Sequence, residues 1–227
     1  LVVDIGNQGD GIRIDGSNFN RVGADGTVTG AGNNIAFNRG SGVAVISSVA
    51  TIATDNAILT NSIFRNGRLG IDLIDSADPA SGVTPNVPGG VGNGPNRLQN
   101  YPVLTSALLN RGLNNGVIDV NSTFIGSVKS LPNADVLLQF FSSVQGDSSG
   151  FGEGQTFVGQ ALVRTDAVGT ANFRLTFPTL LQLNAAISAT ATVGSNTSEF
   201  SQFVLSRQAQ SDLVLEIDDQ PDPIKIG

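Results

Sequence analysis

The feature that most constrains the fold is a short motif, a glycine followed by two aliphatic residues that flank one variable residue. It reads GIRI at 11–14, GVAV at 42–45 and GIDL at 70–73, so its glycines stand 31 and 28 residues apart. Alternation of this kind places both aliphatic side chains on one face of a strand and the variable side chain on the other. A four-residue strand cannot bury its apolar face alone, so the recurrence predicts stacked coils that share one interior.

A second pattern precedes the last two copies of this motif. It reads NNIAFNRGSG at 33–42 and NSIFRNGRLG at 61–70, and each copy runs from Asn through an apolar pair to a turn rich in Asn and Gly. We expect the corner asparagines to adopt left-handed conformations and to bind turn backbone groups with their side chains. The two patterns together predict a parallel β-helix of about three coils, stacked about 4.8 Å apart.

Asp72 is the acidic residue of the third motif, and the predicted stacking puts it in one outward column with Arg13 and Ala44. A glycoside hydrolase needs two carboxyl groups about 5 to 9.5 Å apart. This column offers a single acid, two coils away from Arg13. We therefore expect Asp72 to be a solvated or structurally paired carboxylate, and we keep a catalytic or ligand-binding role as the alternative.

The coils carry a resemblance when they are taken with the stretches that follow them. After the coils come GPNRLQNYPVLTSA at 94–107, GFGEGQTFVG at 150–159 and ATATVGSNTSEFS at 189–201. This order resembles the end of the right-handed parallel β-helix repeats, pectate-lyase-like in fold, of secreted bacterial surface proteins. The resemblance covers roughly residues 8 to 203. It implies a β-helix followed by a sandwich in an extracellular protein, and it implies no particular activity.

Longer alternating stretches begin near residue 101 and predict seven strands separated by turn signals. Such a series is typical of an antiparallel immunoglobulin-like β-sandwich. The predicted strands are 102–109, 117–127, 134–143, 155–165, 171–177, 185–193 and 198–206. Five phenylalanines are expected to fill the core of the sandwich, namely Phe124, Phe140, Phe157, Phe173 and Phe177.

The whole chain is therefore predicted to be all-β, with three parts. Residues 1–100 form the coils and an irregular linker, residues 101–208 form the sandwich, and residues 209–227 form a tail. The stretch SDLVLEIDDQPDPIKIG at 211–227 resembles the opening strand of the Ig-like modules that repeat in tandem in bacterial cell-wall proteins. We accordingly expect the chain to be part of a longer surface protein.

The linker after the third motif contains oxygen-bearing side chains of the kind that Ca²⁺ prefers. They are Asp72, Asp75 and Asp78, with Asn86, Asn93 and Asn96. Asp147 and Glu153 form a second, weaker pair in GDSSGFGEGQ. The spacing is not that of an EF-hand, and ordinary turn formation explains the same residues. Calcium at Asp72, Asp75 and Asp78 is the one metal site that we predict, and we predict no other cofactor.

Composition excludes several classes of function. The chain has no Cys and no His, so thiolate chemistry, imidazole ligands and a Ser-His-Asp triad are unavailable to it. Its net charge is −7 and its basic residues form no cluster, which argues against nucleic acid. No apolar run reaches the length of a membrane span, so we expect no membrane insertion.

These features predict a non-catalytic, structural or adhesive segment at the bacterial cell surface. Its expected partners are cell-surface polysaccharide or further copies of itself, which exposed strand edges would join into an oligomer or filament. The alternative is a polysaccharide lyase or hydrolase, which rests on fold analogy alone. A carbohydrate-binding module is a third option, although the usual aromatic platform is missing from a chain with no Trp and one Tyr.

Overall fold

The computed structural model describes residues 6–25, 32–48, 50–76, 82–114 and 117–209. Asp78 and the tail at 210–227 lie outside these residues. The described chain is all-β apart from one 3₁₀ turn, Pro95–Leu98. Its strands are β1 Ile12–Asp15, β2 Arg21–Gly23, β3 Asn34–Ala36, β4 Val43–Ile46, β5 Ala57–Leu59, β6 Ser62–Phe64, β7 Ile71–Ile74, β8 Val103–Asn114, β9 Val117–Lys129, β10 Asp135–Ser143, β11 Thr156–Arg164, β12 Thr170–Phe177, β13 Ala186–Val193, β14 Asn196–Thr197 and β15 Val204–Gln208.

The first seven strands form three small parallel sheets, which we call together the stacked segment. The sheets are β1–β4–β7, β2–β5 and β3–β6. In the first sheet Ile12 pairs with Val43, and Val43 pairs with Ile71, with no slip along the strands. The predicted parallel register of the three Gly-aliphatic motifs is therefore confirmed. Residues 55–74, which contain β5, β6 and β7, are the lowest turn of this stack, and we call them the last coil.

The remaining strands form one eight-stranded sheet, which we call the large sheet. Its order is β11–β10–β13–β15–β8–β9–β12, with β14 beside β13. Neighbouring strands are antiparallel except for β15 and β8, which are parallel. The sheet curls so that its two edge strands, β11 and β12, come close to each other. A Cβ added at Gly159 in β11 would stand only 2.5 Å from the Phe177 ring in β12.

The core of the large sheet is aromatic, and three of the five predicted phenylalanines are buried in it, Phe124, Phe140 and Phe173. The Phe124 and Phe140 rings stack with their centroids 4.8 Å apart. Phe177 packs against the same core. Phe157 does not, because it contacts Phe141 on the side that faces the stacked segment.

Six of the seven strands predicted after residue 101 correspond to β8 to β13, although β8 runs on to Asn114. The seventh prediction, a strand over 198–206, is wrong in its first half. Regular pairing begins only at Val204, while Glu199 in the preceding stretch is turned toward the stacked segment and binds its backbone. Because the side chain of Glu199 binds a different element, the alternation of residues in this stretch does not reflect strand pairing. Within the described residues, no helix is long and apolar enough to cross a membrane.

Candidate functional site

The corners of the stacked segment are built from pairs of residues, the first of which is left-handed. Phe37 and Arg65, for example, have φ of 62° and 54°. Each left-handed residue other than glycine precedes an asparagine in this segment, and the pairs are Phe19-Asn20, Phe37-Asn38, Asp55-Asn56, Thr60-Asn61 and Arg65-Asn66. The prediction that the asparagines themselves would be left-handed is wrong at these corners. The prediction that their side chains bind turn backbone is confirmed.

These asparagines stack from coil to coil as hydrogen-bonded ladders. The Asn38 side-chain amide donates to Asn66 Oδ1 over 2.8 Å, and Asn33 donates to Asn61 Oδ1 over 2.9 Å. The same oxygen of Asn66 also accepts the backbone N–H of Asn38 at 3.3 Å. Each ladder carbonyl therefore serves the coil above it, and the last coil must find its acceptors outside the stack.

Glu153, in the loop before β11, supplies acceptors at the foot of one ladder. Its Oε1 accepts the Asn66 backbone N–H and the Asn66 side-chain amide, each at 3.0 Å. Its Oε2 accepts the backbone N–H of Arg65 at 2.5 Å. Glu153 thus occupies the position that the next asparagine of the ladder would take. Burial raises the pKa of Glu153, and the hydrogen bonds from Asn66 and Arg65 oppose that rise.

Further acceptors from the large sheet and the 3₁₀ turn bind the rest of the last coil. All of them are side-chain oxygens except one backbone carbonyl. The pairs are Asp55 N–Asn196 Oδ1 at 2.8 Å, Asn56 N–Asn96 Oδ1 at 3.0 Å, Ile58 N–Thr197 Oγ1 at 3.0 Å, Thr60 N–Gln139 Oε1 at 3.1 Å, Ile63 N–Gly154 O at 2.8 Å and Leu73 N–Glu199 Oε1 at 3.0 Å. We call this set, with Glu153, the cap.

An apolar plug fills the space inside the polar cap. Phe141 of β10 and Phe200, in the stretch between β14 and β15, belong to the same buried cluster as the inward residues of the stacked segment. Their ring centroids are 5.3 Å apart in an edge-to-face arrangement. Two glycines allow this approach, since a Cβ at Gly70 or at Gly154 would come within 2.8 Å of the Phe200 ring. The large sheet therefore closes both the backbone edge and the hydrophobic interior of the stack.

Asp72 lies in the predicted column with Arg13 and Ala44 but does not face solvent. It is 1% exposed, and its Oδ2 accepts the hydroxyl of Ser41 at 2.7 Å. Of the two expected states, a solvated and a structurally paired carboxylate, the structure shows the paired one, because chain from elsewhere covers this face of the last coil. Gly82, for instance, lies so close that its Cβ would stand 4.0 Å from Asp72 Oδ2. Arg13 remains exposed in the first coil, where it pairs with Asp15 at 3.2 Å.

Glu199 is the second buried acid beside β7. Its Oε1 accepts the Leu73 backbone N–H and its Oε2 accepts the Thr84 backbone N–H at 2.9 Å, so it joins the linker to the last coil. Burial raises the pKa of Glu199 to about 8, and the neighbouring charge of Asp72 adds to that rise. The two backbone hydrogen bonds act in the opposite direction.

The predicted calcium ligands are not gathered into a cluster by the described part of the chain. Asn96 and Asn86 bind backbone groups, Asn96 at the cap and Asn86 through the N–H of Tyr101 at 3.0 Å. Glu153 of the second predicted pair belongs to the cap. Asp78 lies outside the described residues, and among those described no group of three acidic, His or Cys side chains could hold a metal. Calcium at Asp72, Asp75 and Asp78 stays a prediction.

A groove of about 540 Å³ runs beside the cap, between the last coil and the loop after β10. It is mainly polar, with Arg68, Asp72 and Asp147 among its charged residues. A cavity of this size is within the range of small-ligand sites.

Comparison of the chain with protein-family models and with curated proteins finds no match.

Most of the cap is not predictable from the sequence. Glu153 stands in GEG and Glu199 in SEF, and neither stretch has a spacing that predicts a site. The one available signal is that each is an acid beside glycine or apolar residues in a chain of which only 14% is charged. That signal marks a buried carboxylate without naming its partner.

Proposed function

We propose that this chain is a non-catalytic structural or adhesive segment of an extracellular bacterial surface protein. In this proposal the stacked segment is a right-handed parallel β-helix, and the large sheet is an immunoglobulin-like sandwich that ends it. The partners would be cell-surface polysaccharide or further copies of the chain.

The observation that carries the proposal is that both buried glutamates bind backbone N–H groups with their carboxyl oxygens. Glu153 accepts two backbone N–H groups of the last coil, one with each carboxyl oxygen. Glu199 accepts the backbone N–H of Leu73 in the last coil with one oxygen and that of Thr84 in the linker with the other. A carboxyl group held in this way is positioned to stabilise the fold, whereas a general acid or base must reach a proton of the substrate. The raised pKa of both groups follows from this structural burial, since buried structural networks also perturb titration.

The test is a turnover screen of the intact chain on acidic and neutral polysaccharides, with and without Ca²⁺. We expect no turnover, and we expect Glu153→Ala to lower the free energy of unfolding by about 3 kcal/mol because it strands buried donors. Thr105→Ala is a matched control, since its hydroxyl makes one exposed hydrogen bond. Turnover that disappears in a folded Asp72→Asn variant would contradict the proposal.

The groove favours a second candidate, a polysaccharide-binding or polysaccharide-cleaving site. It is lined by Asp72 and Asp147 beside Arg68, and a pair of carboxyl groups is what glycoside hydrolysis requires. Arg68→Ala should weaken binding to cell-wall polysaccharide in this case, whereas Arg13→Ala, on the first coil, should not. Binding without product formation would identify an adhesive site, and product formation would identify an enzyme.

A further inference from the structure

The lower edge of the last coil is a row of backbone donors that the chain has to satisfy. Strands β5, β6 and β7 pair with the coil above on one side only. Their other edge would present unpaired N–H groups together with the apolar interior of the stack. Edges of this kind are templates for pairing with another chain.

The cap satisfies this edge with side chains in place of a further strand. Eight backbone N–H groups of the last coil, from Asp55 to Leu73, bind it. Only the short bridge between Ile63 and Gly154 uses backbone on both sides. Side-chain acceptors fill the donor row without themselves offering a new edge, so the stack stops here.

A second copy of the chain is the partner that best fits the same edge. Successive coils of one chain already pair without slip, as Ile12, Val43 and Ile71 do, so the spacing of donors and inward side chains is compatible from coil to coil. The corner ladders repeat in the same way, with Asn38 on Asn66. An uncapped last coil would therefore meet matching groups on another copy's strand edge.

We propose that the cap keeps the chain from pairing with a second copy through the last coil, and so sets its oligomeric state. This inference rests on the proposed structural role. The residues that carry it are Glu153, Asn196 and Glu199, because each binds one of the three sheets or its corner and none belongs to the stacked segment.

The experiment compares the intact chain with the variants Glu153→Ala, Asn196→Ala and Glu199→Ala, singly and combined. Sedimentation velocity over a hundredfold range of concentration reports association, and hydrogen exchange reports the amides of Arg65, Asn66 and Leu73. We expect the combined variant to form dimers or larger species at concentrations at which the wild type does not, because only the variant exposes the donor edge of the last coil. At low concentration the three amides should exchange faster, and association should protect them again.

Thr165→Ala is the matched control, because it removes a buried hydroxyl that accepts the Ala134 N–H and donates to the Leu131 carbonyl, in the loops that connect strands of the large sheet. If the control associates as strongly as the cap variants at equal loss of stability, general unfolding explains the association and the proposal is overturned. The proposal also fails if exposed amides of folded single variants exchange freely while the protein stays monomeric.

The single variants keep the inference testable if the combined variant does not fold. Failure of this inference is distinguishable from failure of the proposed function. If the uncapped variants stay monomeric, the proposed role of the cap in assembly is contradicted and the proposed structural function is not. If the wild type turns over polysaccharide, the proposed structural function is contradicted and the role of the cap is not.

Discussion

The corner residues show how local strain and a side-chain ladder are combined in this chain. A left-handed non-glycine residue costs roughly 1–2 kcal/mol, because its Cβ approaches the neighbouring carbonyl oxygen. The stack accepts this cost five times, each time just before an asparagine whose side chain is bound to another coil or to its backbone. The bend produced by the first residue aims the amide of the second along the stack. The pair is therefore the functional unit of the corner.

Phe19→Gly tests the strain directly. Phe19 has φ of 61° and is 83% exposed, so its ring contributes little packing. Glycine removes the clash at the cost of greater freedom in the unfolded chain, and we expect a net gain of about 0.5–1 kcal/mol in the free energy of unfolding. Urea denaturation of the variant and the wild type measures this difference in the free energy of unfolding. Phe19→Ala keeps the clash and should bring no gain, so an equal gain from alanine would refute the strain.

Strand β7 illustrates how one element is shaped by a partner that is remote in sequence. Its inward residues Ile71 and Leu73 follow the period of the motif. The residue before the strand, Gly70, packs against the Phe200 ring. The motif glycine of the last coil is therefore confined by different neighbours from the motif glycines of the coils above it. At Gly42 an added Cβ would meet the carbonyl of Gly70 and the Ile63 side chain, inside the stack, and at Gly70 it would meet the plug.

Gly70→Ala should weaken the contact between β7 and the plug. The added methyl group would stand 2.8 Å from Phe200, and overpacking of this kind costs about 1–3 kcal/mol. Gly9→Ala is the control, because nothing lies within 4 Å of the position of its Cβ. Denaturant midpoints of the two variants give the comparison. If both lose the same stability, the loss comes from glycine replacement in general and not from the plug.

At the level of the whole molecule, the stacked segment and the large sheet share one boundary in which polar and apolar contacts are interleaved. Phe141 and Phe200 join the apolar cluster of the stack, while Glu153, Gln139 and Glu199 bind the surrounding backbone. The last coil therefore depends on the large sheet for its hydrogen bonds. We infer that separation of the two parts exposes donors and apolar surface together, which favours cooperative unfolding.

The buried Glu199 makes this boundary sensitive to pH. The pKa of Glu199 is about 8 in the folded chain and about 4.3 for an unfolded Glu, so folding takes up a proton between these values. The free energy of unfolding that this proton uptake contributes is fully present below pH about 4.3. It is lost as the pH rises through about 8, by at most about 1.4 kcal/mol per pH unit.

Glu199→Gln should remove that slope, because glutamine does not titrate. The measurement is the free energy of unfolding of both proteins from pH 5 to pH 9, at fixed ionic strength. The difference between wild type and variant should shift in favour of the variant as pH rises. A constant difference across this range would mean that Glu199 does not take up the proton on folding.

Much of the fold followed from patterns that are local in the sequence. The alternation of Ile12, Ile14 and their counterparts sets which side chains face inward, and the repeat of the motif sets which strands pair, since a slip of one residue would turn every aliphatic side chain outward. Six strands of the large sheet were predictable for the same reason. The corner asparagines were found, but the left-handed position was assigned one residue too late.

Only the tertiary structure decided what ends the stack and which acids are buried. Glu153 contacts Asn66, and Glu199 contacts Leu73, across separations of 87 and 126 residues. Their partners are backbone N–H groups, which every residue except proline carries, so no residue type in the last coil marks the place where an acceptor will dock. Asp72 was placed in its column by periodicity, but its burial depends on the chain that packs over that column. Periodicity determines direction within an element, whereas burial depends on what covers it.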